Sequence, residues 1–251
     1  MRRKTEFFTI SLLFWALLSQ AVASDLIKWQ RAIDRDDVEV IRQLLPDVDV
    51  SRVNEKGKSA LMSVARLGEI NMLESLRQRG LKLSDRSNTG GTSLMYAALG
   101  NQLPMIRHIM SEVDSPGFID AQSANGWTAL MIAAAKGFEE TVRLLVELGA
   151  DPSLADAYQW TPLMRAIDNR HHAVVKYLVG CDDVKIDSVN ENGLTALHVA
   201  ALINDEFSAA QLLARAPGLV FVRDKAGNSA QQIASLNGNR KLADFIAGFG
   251  G

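Results

Sequence analysis

One short phrase recurs along the chain and limits the folds open to it. It reads Gly57-Lys-Ser-Ala-Leu-Met, Gly90-Gly-Thr-Ser-Leu-Met, Gly126-Trp-Thr-Ala-Leu-Met and Gln159-Trp-Thr-Pro-Leu-Met, continues as Gly193-Leu-Thr-Ala-Leu-His, and fades into Gly227-Asn-Ser-Ala-Gln-Gln. The spacings are 33, 36, 33, 34 and 34 residues. A period in that range means an array of small supersecondary units, each unable to bury its apolar face alone.

The residues of the phrase predict local structure. The glycine allows a tight turn at positive φ. Thr or Ser, two positions on, caps a helix, and Pro162 sits in the first turn where a missing N–H costs nothing. Seven positions after the glycine stand Val64, Ala97, Ala133, Ala166, Ala200 and Ala234, small enough for close packing between units. Eleven after it stand Gly68, Asn101, Gly137, Arg170, Asn204 and Gly238, the expected left-handed end of that helix. A second helix follows with larger apolar residues, such as Val142, Leu144, Leu145 and Leu148.

Phrase, period and the ending Leu148-Gly-Ala-Asp-Pro together resemble the ankyrin repeat over essentially the whole chain after residue 23. The resemblance implies an all-α solenoid of stacked helix-turn-helix units with short β-turn or hairpin loops. Residues 24–251 then form one ankyrin-repeat domain. A capping helix pair at 24–53 precedes repeats at about 54–86, 87–122, 123–155, 156–189 and 190–223, and a capping repeat at 224–251 closes it. Gln231 and Gln232 replace apolar residues in that last unit, as suits a face in water. The insertion around Ser111 to Gly117, with Asp114-Ser115-Pro116-Gly117, reads as a loop between units.

The first 23 residues read as an address. Arg2, Arg3 and Lys4 precede an apolar run from Phe7 to Leu18, and Ala21-Val22-Ala23 supplies a small-x-small cleavage site. The run is shorter than the roughly 20 residues of a spanning helix, so no stable membrane insertion is expected after cleavage. Without residues 1–23, 24 basic and 28 acidic side chains remain, a charge of -4. The full chain carries -2, so no basic excess favours nucleic acid. One cysteine, Cys181, excludes an intramolecular disulfide and a cysteine-based zinc cluster. An exported chain without disulfides points to the bacterial periplasm.

The pattern contains no catalytic constellation, so the expectation is a non-enzyme with no cofactor and no metal. His171-His172 makes a poor chelate, because adjacent residues face different ways. Met62, Met95, Met131 and Met164 recur once per unit, about 10 Å apart by helix packing, too far to share an ion. Cys181 lies beside Asp182 and Asp183, whose charge would raise its pKa. The resemblance implies structural roles for His198, supporting the turn, and for His171, between the two helices.

The resemblance also implies where a partner binds. Ankyrin proteins commonly hold another protein on a concave surface of turn tips and first helices. The variable positions there are Asn125, Trp127, Lys136, Tyr158, Trp160, Asn192, Leu194, Leu202 and Ile203, with Ala135, Asp168, Asn169 and Glu191 beside them. The apolar members are expected to form one ribbon rimmed by polar groups. Glu55, Lys56, Lys58 and Arg66 offer a more charged end. Exposed aromatics at a recurring position suit an interaction hot spot. The expected partner is a protein, bound by a chain that is monomeric alone. Resemblance to secreted bacterial ankyrin proteins implies two jobs: assisting or protecting an envelope enzyme, as in oxidative-stress defence, or neutralising a toxin as an immunity protein.

Overall fold

A computed structural model describes residues 23–115 and 117–250. The expected signal segment lies outside the described residues except for Ala23. The first pair of helices is α1 (23–35) and α2 (Val38–Leu44). Six more pairs follow, each an inner then an outer helix. They are α3 (Ala60–Leu67) with α4 (Ile70–Gln78), α5 (Ser93–Leu99) with α6 (Leu103–Glu112), and α7 (Ala129–Lys136) with α8 (Glu139–Glu147). The remainder are α9 (Pro162–Asp168) with α10 (His172–Gly180), α11 (Ala196–Leu202) with α12 (Glu206–Arg215), and α13 (Ala230–Leu236) with α14 (Arg240–Ala247). A short 3-10 turn, Pro217–Phe221, joins the last two pairs.

Each inner helix starts at a side-chain cap. Ser59, Thr92, Thr128, Thr161, Thr195 and Ser229 accept from the backbone N–H three residues on. Each ends where Gly68, Asn101, Gly137, Arg170, Asn204 or Gly238 takes a positive φ between 55° and 80°. That left-handed residue stops one helix and aims the chain into the next. Asp36, also at φ 55°, makes the same turn between α1 and α2.

The inner helices pack in a row, α3 on α5, then α7, α9, α11 and α13. The position-seven residues between them are all buried. The approach is close: a Cβ on Gly100, at the end of α5, would stand 1.8 Å from the Arg66 carbonyl of α3. Trp29, Ile33 and Ile41 of the first pair are fully buried and close the core at that end. The recurring methionines are buried too, filling the row rather than facing solvent.

The turn tips are joined by one backbone bond at each junction. The N–H groups of Asn88, Ala124, Ala157, Glu191 and Lys225 donate to the carbonyls of Lys56, Thr89, Asn125, Tyr158 and Asn192, at 2.8 to 3.0 Å. The turns do not lengthen into strands. Among the described residues the one bridge is Arg223 with Ser229.

Two expectations change. The insertion partly extends a helix, because Ser111 and Glu112 belong to α6 and the loop starts at Val113. Lys58 is not on an open charged face. It is 6% exposed, paired with Asp36, and donates to the Ile33 carbonyl at 2.9 Å. Arg66 takes the other Asp36 oxygen at 2.8 Å. These charges therefore dock the first helix pair onto the second.

Candidate protein-binding face

The face is built from turns of one design. The residue three before each turn glycine ends an Asx- or Ser-type loop: Asn54, Ser87, Ser123, Asp156, Asn190 and Asp224 each accept from the backbone N–H four residues later, at 2.8 to 3.0 Å. The backbone N–H of each donates in return to the carbonyl of that same later residue, so side chain and backbone together close the loop. Asn125, Tyr158 and Asn192 spend their carbonyls on the next tip, while their side chains are exposed.

Gln159 holds the glycine position of the fourth turn at φ 61°, a strained conformation for a side-chain-bearing residue. The turn is held by more than its neighbours have. The buried Asp156 carboxylate accepts from the N–H groups of Tyr158 and Trp160, both at 2.9 Å, and pairs with Arg165 through its other oxygen. The Arg165 guanidinium lies between two indoles, 4.9 Å from the Trp127 ring centre and 4.7 Å from that of Trp160. Its Nε is buried without a hydrogen-bond partner, so the ring faces supply its compensation. Trp127 and Trp160 therefore do not stack on each other. Both are half-buried walls of a cation sandwich.

That sandwich divides the expected single ribbon into two apolar recesses. On one side, Trp127 and Asn125 join Met95, Tyr96, Leu99 and Ile132 around about 480 Å³. On the other, Asn192, Leu194 and Leu202 join Ile233, Leu236 and Asn228 around about 440 Å³. Tyr158, 55% exposed, stands at the tip between them. Ile203 is half-buried against the core and Lys136 is exposed at the end of α7.

Sequence reasoning missed Tyr96, Ile132, Arg165 and Ile233. All stand six positions after the turn residue, and positions nine after it were already read as facing a partner. Residues three apart share a helix face, so that spacing was the available signal.

Other chemistry is structural. His198 Nδ1 accepts from the Thr195 N–H and its Nε2 donates to the Asn228 carbonyl. His171 Nε2 reaches the Ala135 carbonyl at 3.0 Å. His172 meets the buried Asp205 at 3.0 Å, and Ser208 Oγ donates to the same carboxylate at 2.6 Å. With the carboxylate between them, histidine and serine are not arranged as base and nucleophile. The Cys181 thiol is pushed up chiefly by burial, with Asp183 adding to the effect, and it donates to the Tyr177 carbonyl at 3.4 Å. Among the described residues no cluster of three His, Cys, Asp or Glu side chains could hold a metal.

A family model of ankyrin repeats (three copies) matches residues 29–116 and 101–190. The chain belongs to the ankyrin-repeat family. Ankyrin membership suggests a protein-binding scaffold. The transient receptor potential cation channel subfamily A member 1 homolog of Caenorhabditis elegans is 26% identical over 209 residues, 83% of this chain and 17% of that protein. Rabankyrin-5 of Homo sapiens is 31% identical over 127 residues, 51% of this chain and 11% of that one. Protein phosphatase 1 regulatory subunit 12A of Rattus norvegicus is 29% identical over 168 residues, 65% and 16% respectively. The chain thus spans under a fifth of the length of each of these relatives. Among the described residues no helix is long and apolar enough to cross a membrane.

Proposed function

We propose that the chain is a non-catalytic scaffold that holds a partner protein against its inner face, in the bacterial periplasm after loss of residues 1–23. The observation that carries the binding role is the run of apolar side chains left open on that face. Tyr158 is 55% exposed, Leu202 43% and Leu236 76%, beside two recesses each large enough for a partner side chain. Large apolar side chains left exposed beside apolar recesses mark an interaction site.

The exported location rests on the basic start, the short apolar run and Ala21-Val22-Ala23. Resemblance to secreted bacterial ankyrin proteins supports an envelope enzyme as the partner, assisted or protected during oxidative stress. The test is capture of periplasmic proteins on the purified chain, with mass spectrometry of the bait and of what it retains. The expected result is a bait beginning at Ser24 and a recurrent envelope enzyme. Recovery of a delivered toxin would replace this reading with that of an immunity protein. A full-length species fixed in the inner membrane would overturn the soluble periplasmic scaffold.

A further inference from the structure

His198 has no counterpart in the other units. Five positions after the turn residue they carry Met62, Met95, Met131, Met164 and Gln232, none of which titrates. His198 is fully buried at the junction with the last unit. Its Nδ1 accepts from the Thr195 N–H at 3.1 Å and lies 2.8 Å from Thr195 Oγ1, fixing the start of α11. Its Nε2 donates to the Asn228 carbonyl at 3.2 Å, tying α11 to the final turn. Both contacts use a neutral ring with its proton on Nε2. A second proton would set an N–H at Nδ1 against the N–H of Thr195.

We propose that acidification loosens the last unit, α13 and α14 with their turn, by protonating His198, and so takes apart the second recess. Ile233, Leu236 and Asn228 of that unit form half of the recess wall; Leu194 and Leu202 form the other half. Opening would leave the Arg165 sandwich, two junctions away along the row, and the first recess, three junctions away, in place. The effect on binding rests on the inner face being the partner site, whereas the opening itself does not.

The direction follows from the surroundings of the ring. Burial holds the His198 pKa below its ordinary 6.5, while the facing charge, Asp224, and the carbonyls of Asn228 and Val222 oppose that shift without reversing it. The neutral form is the one the fold favours. Its contribution is fully present above pH 6.5 and is lost as pH falls toward the folded value. One unit below 6.5, the open form of the junction gains up to about tenfold.

Hydrogen exchange on the full chain tests this at pH 7.5 and 5.5. The exchange rates of α13 and α14 amides are divided by those of α7 in the same sample, so the intrinsic pH dependence cancels. The ratio should rise, by up to about tenfold, in the parent and stay flat in His198→Met, the residue that four other units use. If the methionine variant does not fold, His198→Gln replaces it, since Gln232 makes the same capping contact in the last unit. A flat ratio in the parent, or an equal rise in the variants, overturns the proposal. If the unit opens but partner capture at pH 5.5 is undiminished, the partner does not bind at the second recess, and the opening stands.

Discussion

Arg165 illustrates how one side chain can belong to both the fold and the binding face. Its guanidinium neutralises Asp156, whose side chain is fully buried, and separates Trp127 from Trp160. Contact with an aromatic face contributes about 0.5 to 2 kcal/mol, depending on desolvation. An uncompensated buried charge costs about 3 to 5 kcal/mol. The ion pair is therefore the larger effect, and Arg165→Leu should lower unfolding free energy by about 3 kcal/mol in urea. A loss under 1 kcal/mol would show that water or the turn N–H groups already satisfy Asp156. The same reasoning changes what aromatic truncation does. Trp127→Ala and Trp160→Ala each remove a wall of the sandwich, so their melting points should fall modestly, whereas Tyr158→Ala should leave melting unchanged. The tryptophans were legible as recurring exposed-type residues because their position repeats. Arg165 was not, because its column holds Ser63, Tyr96, Ile132, Val199 and Ile233, which share no chemistry. Lys58 was misleading for a related reason: its partner Asp36 lies in the pair that lacks the phrase.

At the scale of the helix, short elements are fixed by their ends. Inner helices of seven or eight residues are too short to persist alone. Caps at Ser59, Thr92, Thr128, Thr161, Thr195 and Ser229 and left-handed stops at the other end define them, and packing along the row stabilises them. These features were plain in the sequence because they depend on residue type at a fixed offset. The closeness of the helices was less plain. Gly100 has an ordinary helical φ of -85°, so its lack of a side chain answers to space rather than to backbone conformation. Gly100→Ala would force α5 away from the Arg66 carbonyl of α3 and should cost about 1 to 3 kcal/mol or more. Gly180→Ala, with nothing within 4 Å and no positive φ, is the control and should be near neutral. Equal effects in thermal unfolding would mean that α3 and α5 adjust without loss. The extension of α6 through Glu112 was hidden because Ser111 reads equally well as helix or loop, and its hydroxyl bonds back to the His108 carbonyl.

Across the whole molecule, stability is shared among neighbouring units rather than held in one centre. The last unit covers α11 and α12 with buried Ala230, Ile233, Ala234, Leu242, Ala243 and Ile246, while Gln231 and Gln232 face water. Ending the chain before Asp224 should uncover that apolar surface, lower the melting temperature and promote association on gel filtration. A truncated chain as monomeric and thermostable as the parent would show that the last unit is no cap. The array was legible from one period, and so was the general position of the inner face. Its division into two recesses was not, since it follows from a single arginine and from Leu236 in a unit whose phrase has faded. That division also guides the choice of variants. Tyr158 and Leu202 are exposed enough to be removed without disturbing the core; Tyr158 stands at the tip between the recesses and Leu202 lines the second. The most direct test of the scaffold account is therefore binding by the Tyr158→Ala, Leu202→Ala double variant, measured with the captured partner beside the parent and Lys56→Ala. Each truncation at an interface centre weakens binding by about 2 kcal/mol, roughly thirtyfold. The account predicts at least that loss for the double variant, with melting unchanged and Lys56→Ala binding as the parent does. Parental affinity in a double variant that is fully folded would contradict it, and would place the partner on a surface other than the inner face.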